Sequence, residues 1–353
     1  MEGLDIFTAT EESEGKPGRG VTGANWRRKS WREPFQVWCS LYADDAGNLF
    51  DSREKLQEGI EKIHAHFKRF GLTMHVGRDL ENGGADSKTE AMYVPPAGGF
   101  RYAYGAEDTS PLEVDGGLVP FTKSFRYLGS LLSYNTSCVK DVNARTAKAA
   151  GVFGALRKVV FCANGVSLKA KAKVYMALVV SILLYGSECW ALRRAEEVKL
   201  SRFHRECVRK MCGVTLDHQL RHRISSKKLE QRLKLGSMRD YISKRVLTWG
   251  GHVVRMARDR LPRKLFFGWV NHPRKSGGQE LSFGRRFERT VKAALVECGP
   301  DLRRVITGSG IDGGRRRENR QGIGWYGLAK DRDLWRQFAK TRGMRAAYST
   351  STH

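Results

Sequence analysis

Apolar and polar positions in the first fifty residues predict a β-hairpin that carries two carboxylates. Residues 1–30 are rich in Gly, Glu, Ser and Thr and show no apolar period, which predicts a poorly ordered segment. A strand is predicted from about residue 35 to residue 41. In residues 42–50, two apolar or small stretches flank the adjacent pair Asp44 and Asp45. This pattern predicts a hairpin with both acids at its tip.

The next pattern is that of an amphipathic helix. Apolar residues from Leu56 to Phe70 recur at spacings of three and four, which places them on one helical face. Asp51 or Ser52 can cap the start of this helix, and Gly71 can end it. The first part of the chain is therefore expected to combine strands with helices.

Beyond residue 140 the apolar period becomes helical. Before that point, short strands are predicted at residues 72–76 and 91–94, on either side of a polar, Gly-rich loop at residues 77–87. The Gly- and Arg-rich residues 307–327 are predicted to form a flexible basic loop. Helices are predicted at residues 142–160, 168–184, 195–211, 226–235, 238–256, 283–296 and 331–341.

The charge of the chain is concentrated in its C-terminal part. The 353 residues include 63 Lys and Arg and 37 Asp and Glu, for a formal net charge of +26. Residues 201–353 hold 36 of the basic and 13 of the acidic side chains. Such a surplus favours a polyanionic partner, of which nucleic acid is the usual one. A basic surface without a ligand is the alternative.

Several classes of protein are excluded by the sequence. The longest uncharged apolar run, residues 174–187, has about 14 residues and is too short to span a bilayer. The first residues lack the basic and apolar regions of a signal peptide. The seven cysteines are scattered and odd in number, which fits reduced thiols better than a secreted disulfide scaffold. We therefore expect an intracellular protein, nuclear or cytoplasmic, without a membrane partner.

Asp44 and Asp45 are the candidate metal ligands. Adjacent carboxylates at a tight turn repel each other, and a divalent cation relieves that repulsion. Mg²⁺ is usually held by one or two carboxylates together with substrate phosphates. Such a pair is the core of two-metal nucleotidyl transfer, in which one ion activates a 3′-hydroxyl and the other stabilises the leaving pyrophosphate. An ordinary polar turn is the alternative, and so short a match does not decide between the two.

Several stretches of the chain resemble the motifs of one protein family, and they occur in the same order as in that family. They are residues 41–45 (LYADD), 70–72 with 88–90 (FGL and KTE), 125–130 (FRYLGS), 183–190 (LLYGSECW) and 249–256 (WGGHVVRM). The sequence thereby resembles the reverse transcriptases of non-LTR retrotransposons, of the long interspersed element type. The stretches resemble, in turn, the catalytic hairpin, the next palm motif, the strands that grip the primer, a thumb segment and a C-terminal block. The gap between the two parts of the palm motif is widened here by residues 77–87.

The resemblance, which covers roughly residues 36–340, implies an α+β fold. A partial polymerase palm, made of a β-hairpin, a helix and antiparallel sheet, would precede a helical thumb and a basic, mostly helical C-terminal region. The implied domains are a poorly ordered segment at residues 1–34, a palm at 35–134, a thumb-like domain at 135–215 and a basic nucleic-acid-binding region at 216–353.

The resemblance also implies roles for single residues. Asp44 would be a catalytic metal ligand assisted by Asp45, Lys88 would lie near the incoming nucleotide and protonate pyrophosphate, and Tyr127 would support the primer backbone. The implied cofactor is Mg²⁺, two ions in an intact enzyme, with Mn²⁺ as an alternative. The implied partners are an RNA template, a DNA primer and deoxynucleotide triphosphates. A surface lysine and plain strand core are the respective alternatives for Lys88 and Tyr127.

One part of the family's catalytic site has no counterpart in the sequence. A polymerase palm needs a third carboxylate from an upstream strand, and only 43 residues precede Asp44. None of their acidic residues lies in a hydrophobic strand that resembles the family's first palm motif. We therefore expect a truncated RNA-directed DNA polymerase that is inactive alone. A non-catalytic RNA- or DNA-binding remnant is the alternative.

The basic region supplies the candidate nucleic-acid contacts. Neighbouring aromatic side chains can stack on unpaired bases or pack in the core, and for any single aromatic the core is favoured. The arginines predicted to contact phosphates are Arg255, Arg258, Arg260, Arg285, Arg286, Arg315, Arg316 and Arg317.

Two further groups of residues have a structural and a chemical interpretation. Cys207, Cys212, His218 and His222 are of the types that bind zinc, but their spacing matches no usual zinc finger. Structural cysteines and solvent-facing histidines are favoured instead. His252 is predicted to be a core histidine packed beside a tryptophan rather than a catalytic group.

Overall fold

A computed structural model describes most of the chain. The residues described are 4–9, 31–37, 39–95, 109–267, 269–270, 283–298, 302–303, 309–312, 315–318 and 324–344. They combine helices with small antiparallel strand pairs, and this described part contains no closed barrel. The predicted α+β fold class is therefore confirmed.

The chain divides into two compact units. We call them the strand unit, residues 1–8, 20–140 and 268–280, and the helical unit, residues 9–19, 141–267 and 281–353. The finer division into four domains stays a prediction. Across the described ranges, no helix combines the length and the apolar character needed to cross a membrane.

The strand unit consists of short strands and one long helix. Three antiparallel hairpins, β3–β4, β5–β6 and β7–β8, accompany a three-stranded sheet in the order β2-β1-β9. The first strand, β1, was not predicted from the sequence. The elements are β1 (Leu4–Ala9), β2 (Trp31–Val37), β3 (Cys39–Tyr42), β4 (Asp45–Asn48), α1 (Arg53–Arg69), β5 (Leu112–Val114), β6 (Gly117–Val119), β7 (Ser124–Tyr127), β8 (Ser130–Ser133) and β9 (Trp269–Val270).

Helix α1 has the predicted boundaries and apolar face. The Ser52 hydroxyl accepts a hydrogen bond from the Lys55 backbone N–H at 3.2 Å, which satisfies one of the free donors at the helix start. Gly71, with φ +71°, follows the last turn. The helix buries Ile60 in a small core whose other buried members are Val76, Ala91, Leu112, Val114 and Val119.

The strands predicted at residues 72–76 and 91–94 are absent from the structure. A single bridge lies beside each segment, Gly77 with Leu118 just after the first and Ala91 with Phe121 at the start of the second. The loop at residues 77–87 folds back so closely that a methyl group on Gly77 would lie 2.4 Å from the backbone of Gly84.

The helical unit contains most of the predicted helices. The helix predicted at residues 168–184 is continuous, but its middle, Tyr175–Val180, is π-helical, and a second π-helical turn spans Arg157–Phe161. The elements are α2 (Val139–Leu156), α3 (Leu168–Val174), α4 (Ser181–Leu183), α5 (Arg194–Met211), α6 (Leu216–Arg221), α7 (Ser226–Arg232), α8 (Met238–Val254), α9 (Leu261–Phe267), α10 (Phe283–Glu297), β10 (Ser309–Asp312), β11 (Arg315–Glu318), α11 (Gly324–Lys330) and α12 (Arg332–Met344).

Strands β10 and β11 lie where the sequence predicted a loop. They pair antiparallel, with Asp312 opposite Arg315. The two residues between them in the sequence are Gly313 and Gly314. Gly-Gly pairs favour two-residue hairpin connections because both residues tolerate positive φ. The loop prediction overlooked this signal.

Two glycines allow α8 to approach its neighbours. A methyl group on Gly250 would lie 2.0 Å from the Phe287 ring of α10, and one on Gly251 would lie 2.0 Å from Trp335 Nε1 of α12. The Trp335 indole also donates a hydrogen bond to the Leu247 carbonyl at 2.8 Å. Glycine within a helix costs about 1 kcal/mol relative to alanine. The close packing of two large aromatic rings accounts for its presence twice in succession.

Candidate metal and nucleic-acid site

The predicted hairpin around the two aspartates is confirmed. Tyr42 pairs with Asp45, so Ala43 and Asp44 form a two-residue turn between β3 and β4. Ala43 has φ +52°, a left-handed conformation that costs a non-glycine residue about 1–2 kcal/mol. Such strain concentrates at functional sites. Both aspartates are exposed, so the turn projects two carboxylates into solvent.

The oxygens of this pair are available to a ligand. The described residues contribute no hydrogen bond or ion pair to the side chain of Asp44 or of Asp45. Mg²⁺ prefers carboxylate oxygen and completes its octahedron with water and phosphate, so two carboxylates fit one such ion. Within the same described ranges, no three Asp, Glu, His or Cys side chains gather into a possible metal site. The pair thus fits part of a two-metal centre, and the described residues supply no further ligand beside it.

A second hairpin packs against the first through Tyr127. The Tyr127 hydroxyl donates to the Ser40 carbonyl at 3.0 Å and lies 3.1 Å from Ser40 Oγ. Its ring lies 3.5 Å from the position that a methyl group on Gly47 would occupy. The β7–β8 turn uses two left-handed residues, Leu128 at φ +47° and Gly129 at φ +79°. Tyr127, predicted to support the primer, therefore holds both strands of the hairpin that carries the aspartates.

Lys88 takes no part in the contact between Tyr127 and the β3–β4 hairpin. Its side chain is exposed, and its backbone N–H donates to His75 Nδ1 at 3.2 Å. In the described structure, neither a hydrogen bond nor an ion pair joins Lys88 to Asp44 or Asp45. Its catalytic role stays a prediction.

The predicted phosphate contacts fall into different surroundings in the helical unit. Arg258 and Arg260 follow α8 and are exposed. Arg255 is half-buried and donates to the Ala329 carbonyl at 2.7 Å, and burial lowers its pKa. Arg286 is 7% exposed and donates to the Trp190 carbonyl at 2.6 Å. The side chains of Arg285, Arg315, Arg316 and Arg317 lie outside the described residues.

The thumb-like stretch at residues 183–190 buries Leu183, Leu184, Ser187 and Trp190. Trp190 donates from Nε1 to the buried carboxylate of Asp141 at 2.8 Å. Asp141 also pairs with Arg145 at 3.5 Å, and the Arg145 guanidinium lies 4.4 Å from the centre of the Tyr185 ring. These contacts join the stretch to α2. Asp141 gave no signal in the sequence, since an acidic residue in the first turn of a helix is common on exposed surfaces.

The candidate zinc ligands do not meet. Cys207 is buried, and burial raises the pKa of its thiol to about 12. The Cys212 thiol faces the Leu229 carbonyl at 3.8 Å. The exposed rings of His218 and His222 are tilted to each other, with centroids 4.2 Å apart. The structural interpretation of these four residues fits this arrangement.

The predictions for the aromatic side chains and for His252 had different outcomes. Phe266, Phe267, Phe287 and Trp335 are buried, which confirms the preference for core packing. His252 lies 5.9 Å from the Trp249 ring as predicted, but it is exposed. Its placement in the core was wrong because the buried positions of α8 face Phe287 and Trp335 instead.

A different histidine, missed in the sequence, occupies the core. His204 Nδ1 lies 2.9 Å from the Tyr175 hydroxyl, and Nε2 lies 3.1 Å from the Gly236 carbonyl. Glu230 lies 3.8 Å from Nε2. Burial lowers the pKa of His204 to about 4, so the ring is neutral at pH 7. Its place on the apolar face of α5, four residues after Leu200, was the available signal.

Comparisons with known proteins identify relatives that come from transposable elements. It is 22% identical over 209 residues to an uncharacterized transposon-derived protein of Caenorhabditis elegans, covering 59% of this chain and 67% of the worm protein. It is 29% identical over 180 residues to a 115 kDa protein of a type-1 retrotransposable element of Drosophila melanogaster, covering 50% of this chain and 16% of the fly protein. No family model and no solved structure matches the chain. These relatives support a retrotransposon origin.

Proposed function

We propose that the chain is the C-terminal part of an RNA-directed DNA polymerase of a non-LTR retrotransposon. The observation that carries this proposal is the contact between Tyr127 and the β3–β4 hairpin. Two stretches that are far apart in the sequence, and that resemble the catalytic hairpin and the primer-gripping strands of that family, lie together. The retrotransposon relatives support the same origin.

In the proposed reaction, the primer 3′-hydroxyl loses its proton to water and its oxygen bonds to the innermost phosphorus of a deoxynucleotide triphosphate. The bond between that phosphorus and pyrophosphate breaks, and pyrophosphate leaves. Mg²⁺, when bound, would neutralise the charge that develops on the phosphate oxygens. Asp44 and Asp45 would hold that ion, Tyr127 would fix the hairpin beside the primer, and Lys88 would protonate the leaving pyrophosphate. Because a complete centre needs further ligands, we expect no primer extension by this chain alone.

Metal binding tests the proposal at the hairpin itself. Mn²⁺ added to the purified chain should broaden the NMR signals of β3 and β4, and the double variant Asp44→Asn, Asp45→Asn should abolish that effect. Asp217→Asn, which removes an exposed carboxylate in the helical unit, is the control. Equal broadening in the double variant would contradict the assignment. Primer extension that is lost in Asp44→Asn would overturn the expected inactivity and strengthen the enzyme assignment.

A non-catalytic nucleic-acid-binding protein is the second candidate. The excess of 36 basic over 13 acidic side chains in residues 201–353 favours it. The affinity for an RNA or DNA duplex should then fall steeply with salt, since each neutralised phosphate contributes a slope of about −0.9 in a plot of log K against log salt. Arg258→Gln and Arg260→Gln should each reduce that slope. An affinity that is independent of salt would exclude this candidate.

A further inference from the structure

The helical unit contains a cavity among α5, α8 and α10. Its volume is about 280 Å³, near the lower limit of about 300 Å³ that is typical of small-molecule sites. One arginine from α8, Arg239, and two from α10, Arg286 and Arg289, contribute to its lining. Three arginines in the lining of one cavity favour an anionic ligand, because a guanidinium presents several N–H donors and retains its charge.

The three arginines differ in exposure in a way that suits capture of an anion. Arg286 is 7% exposed, and its guanidinium donates a hydrogen bond to the Trp190 carbonyl, which restricts its movement. Arg239 and Arg289 are exposed, so they lie at the solvent side. A fixed inner donor and two solvent-accessible outer donors would attract an anion and then orient it.

The other polar residues of the cavity complete this pattern. Ser201 and Ser243 are also lining residues, and the lining includes one carboxylate, Glu197, which pairs with Arg239 at 3.7 Å. Thr290 lines the cavity too, but its hydroxyl donates a hydrogen bond to the Arg286 carbonyl at 2.9 Å. The lining residues thus include three arginines and one acidic residue, a composition that favours a phosphate group.

We infer that this cavity binds a phosphate group, held by Arg239, Arg286 and Arg289 with the hydroxyls of Ser201 and Ser243. The ligand is either free phosphate or the terminal phosphate of a nucleic-acid strand. Only the second of these sources rests on the proposed function. The lining residues of the cavity belong to the helical unit, whereas Asp44 and Asp45 belong to the strand unit.

Calorimetric titration with inorganic phosphate, at constant ionic strength set by chloride, tests the site. We expect saturable binding that Arg289→Gln weakens about tenfold or more, because a charge-assisted hydrogen bond is lost. Lys292→Gln is the control, since it removes the same charge from an exposed position on the same helix outside the cavity. The absence of saturable binding, or equal weakening by both variants, would overturn the inference.

A second variant tests the cavity independently of whether Arg289→Gln folds. Ala293 lies in the cavity wall and is only partly buried, so Ala293→Glu should place a repelling carboxylate there and abolish phosphate binding without emptying the core. Unchanged circular dichroism would verify the fold of each variant. Unaltered phosphate affinity in a folded Ala293→Glu would overturn the inference.

Two oligonucleotides of one sequence, with a 5′-phosphate or a 5′-hydroxyl, distinguish the sources. If only the phosphorylated strand displaces inorganic phosphate, the ligand is a nucleic-acid end. If neither does while phosphate still binds, free phosphate is the ligand. The variant Asp44→Asn, Asp45→Asn should leave phosphate binding unchanged, so failure of the proposed function and failure of this site give separate results.

Discussion

The stretches that resemble the polymerase family have different surroundings in the strand unit and in the helical unit. In the strand unit the core is small and aliphatic, and the LYADD hairpin projects its acids into solvent. In the helical unit, the corresponding stretches bury Trp190 and Gly251, which contact α2 and α12 respectively. A resemblance in sequence therefore indicates candidate chemistry in one unit and architecture in the other.

The largest expected effect tests whether the thumb-like stretch is architectural. Asp141→Ala removes the carboxylate that binds Trp190 and Arg145, and a buried ion pair that loses one partner costs about 3–5 kcal/mol. Urea unfolding followed by tryptophan fluorescence would measure the loss. Asp217→Ala, at an exposed ion pair of α6, should change the free energy of unfolding by about 0.5 kcal/mol or less.

The buried histidine predicts a pH dependence that belongs to the helical unit. The pKa of His204 falls from 6.5 to about 4 on folding, so the unfolded chain binds its proton more readily. The contribution of the neutral His204 to the free energy of unfolding is fully present above pH 6.5. It decreases by about 3 kcal/mol as the pH falls to 4.

Comparison with His204→Gln isolates this contribution. Burial raises the pKa of the neighbouring Glu230, which gives that carboxyl the opposite trend, so the difference between the two proteins is the informative quantity. The control His222→Gln alters an exposed ring and should retain the pH dependence. An unchanged slope between pH 4 and 6.5 in His204→Gln would refute the assignment.

The glycine contacts of α8 predict a smaller effect. Gly251→Ala should destabilise the helical unit by about 1–3 kcal/mol, because the new methyl group overlaps Trp335. Gly154→Ala is a matched control, since the same substitution in α2 meets open space. It should stabilise the protein by up to about 1 kcal/mol. Thermal unfolding of both variants measures these changes in stability. If both substitutions stabilise the protein, or both destabilise it, the packing argument is contradicted.

The smallest effect concerns the strand unit. Tyr127→Phe removes the hydrogen bond to Ser40 and should loosen the β3–β4 hairpin by about 1 kcal/mol. Hydrogen exchange of the hairpin amides would report it. Tyr42→Phe, which removes an exposed hydroxyl from the same hairpin, should leave exchange unchanged. If both variants behave alike, the Tyr127 contact does not hold the hairpin.

Local patterns in the sequence predicted much of the fold. The period of α1, its Ser52 cap and the acidic hairpin all depend on residues close together in the chain, and each is present. The strands expected at residues 72–76 and 91–94 are absent, and only isolated bridges with Leu118 and Phe121 lie beside them. Whether an apolar run extends into a ladder depends on a partner that is distant in the sequence, which local alternation does not show.

The candidate site was predictable in its parts but not in its assembly. The aspartates and Tyr127 were recognised one by one, yet their arrangement depends on a hydrogen bond across 87 residues. Likewise, arginine composition does not distinguish the exposed Arg258 from Arg286, whose burial follows from the packing of α10. The sequence therefore gives the number of charges, and the tertiary contacts decide which of them a partner can reach.

The indole of Trp335 has one more consequence through its fit over Gly251. The indole is held at two points of α8, by its hydrogen bond to the Leu247 carbonyl and by its close fit over Gly251. A larger apolar residue at position 251 would therefore displace the ring instead of adding to the packing.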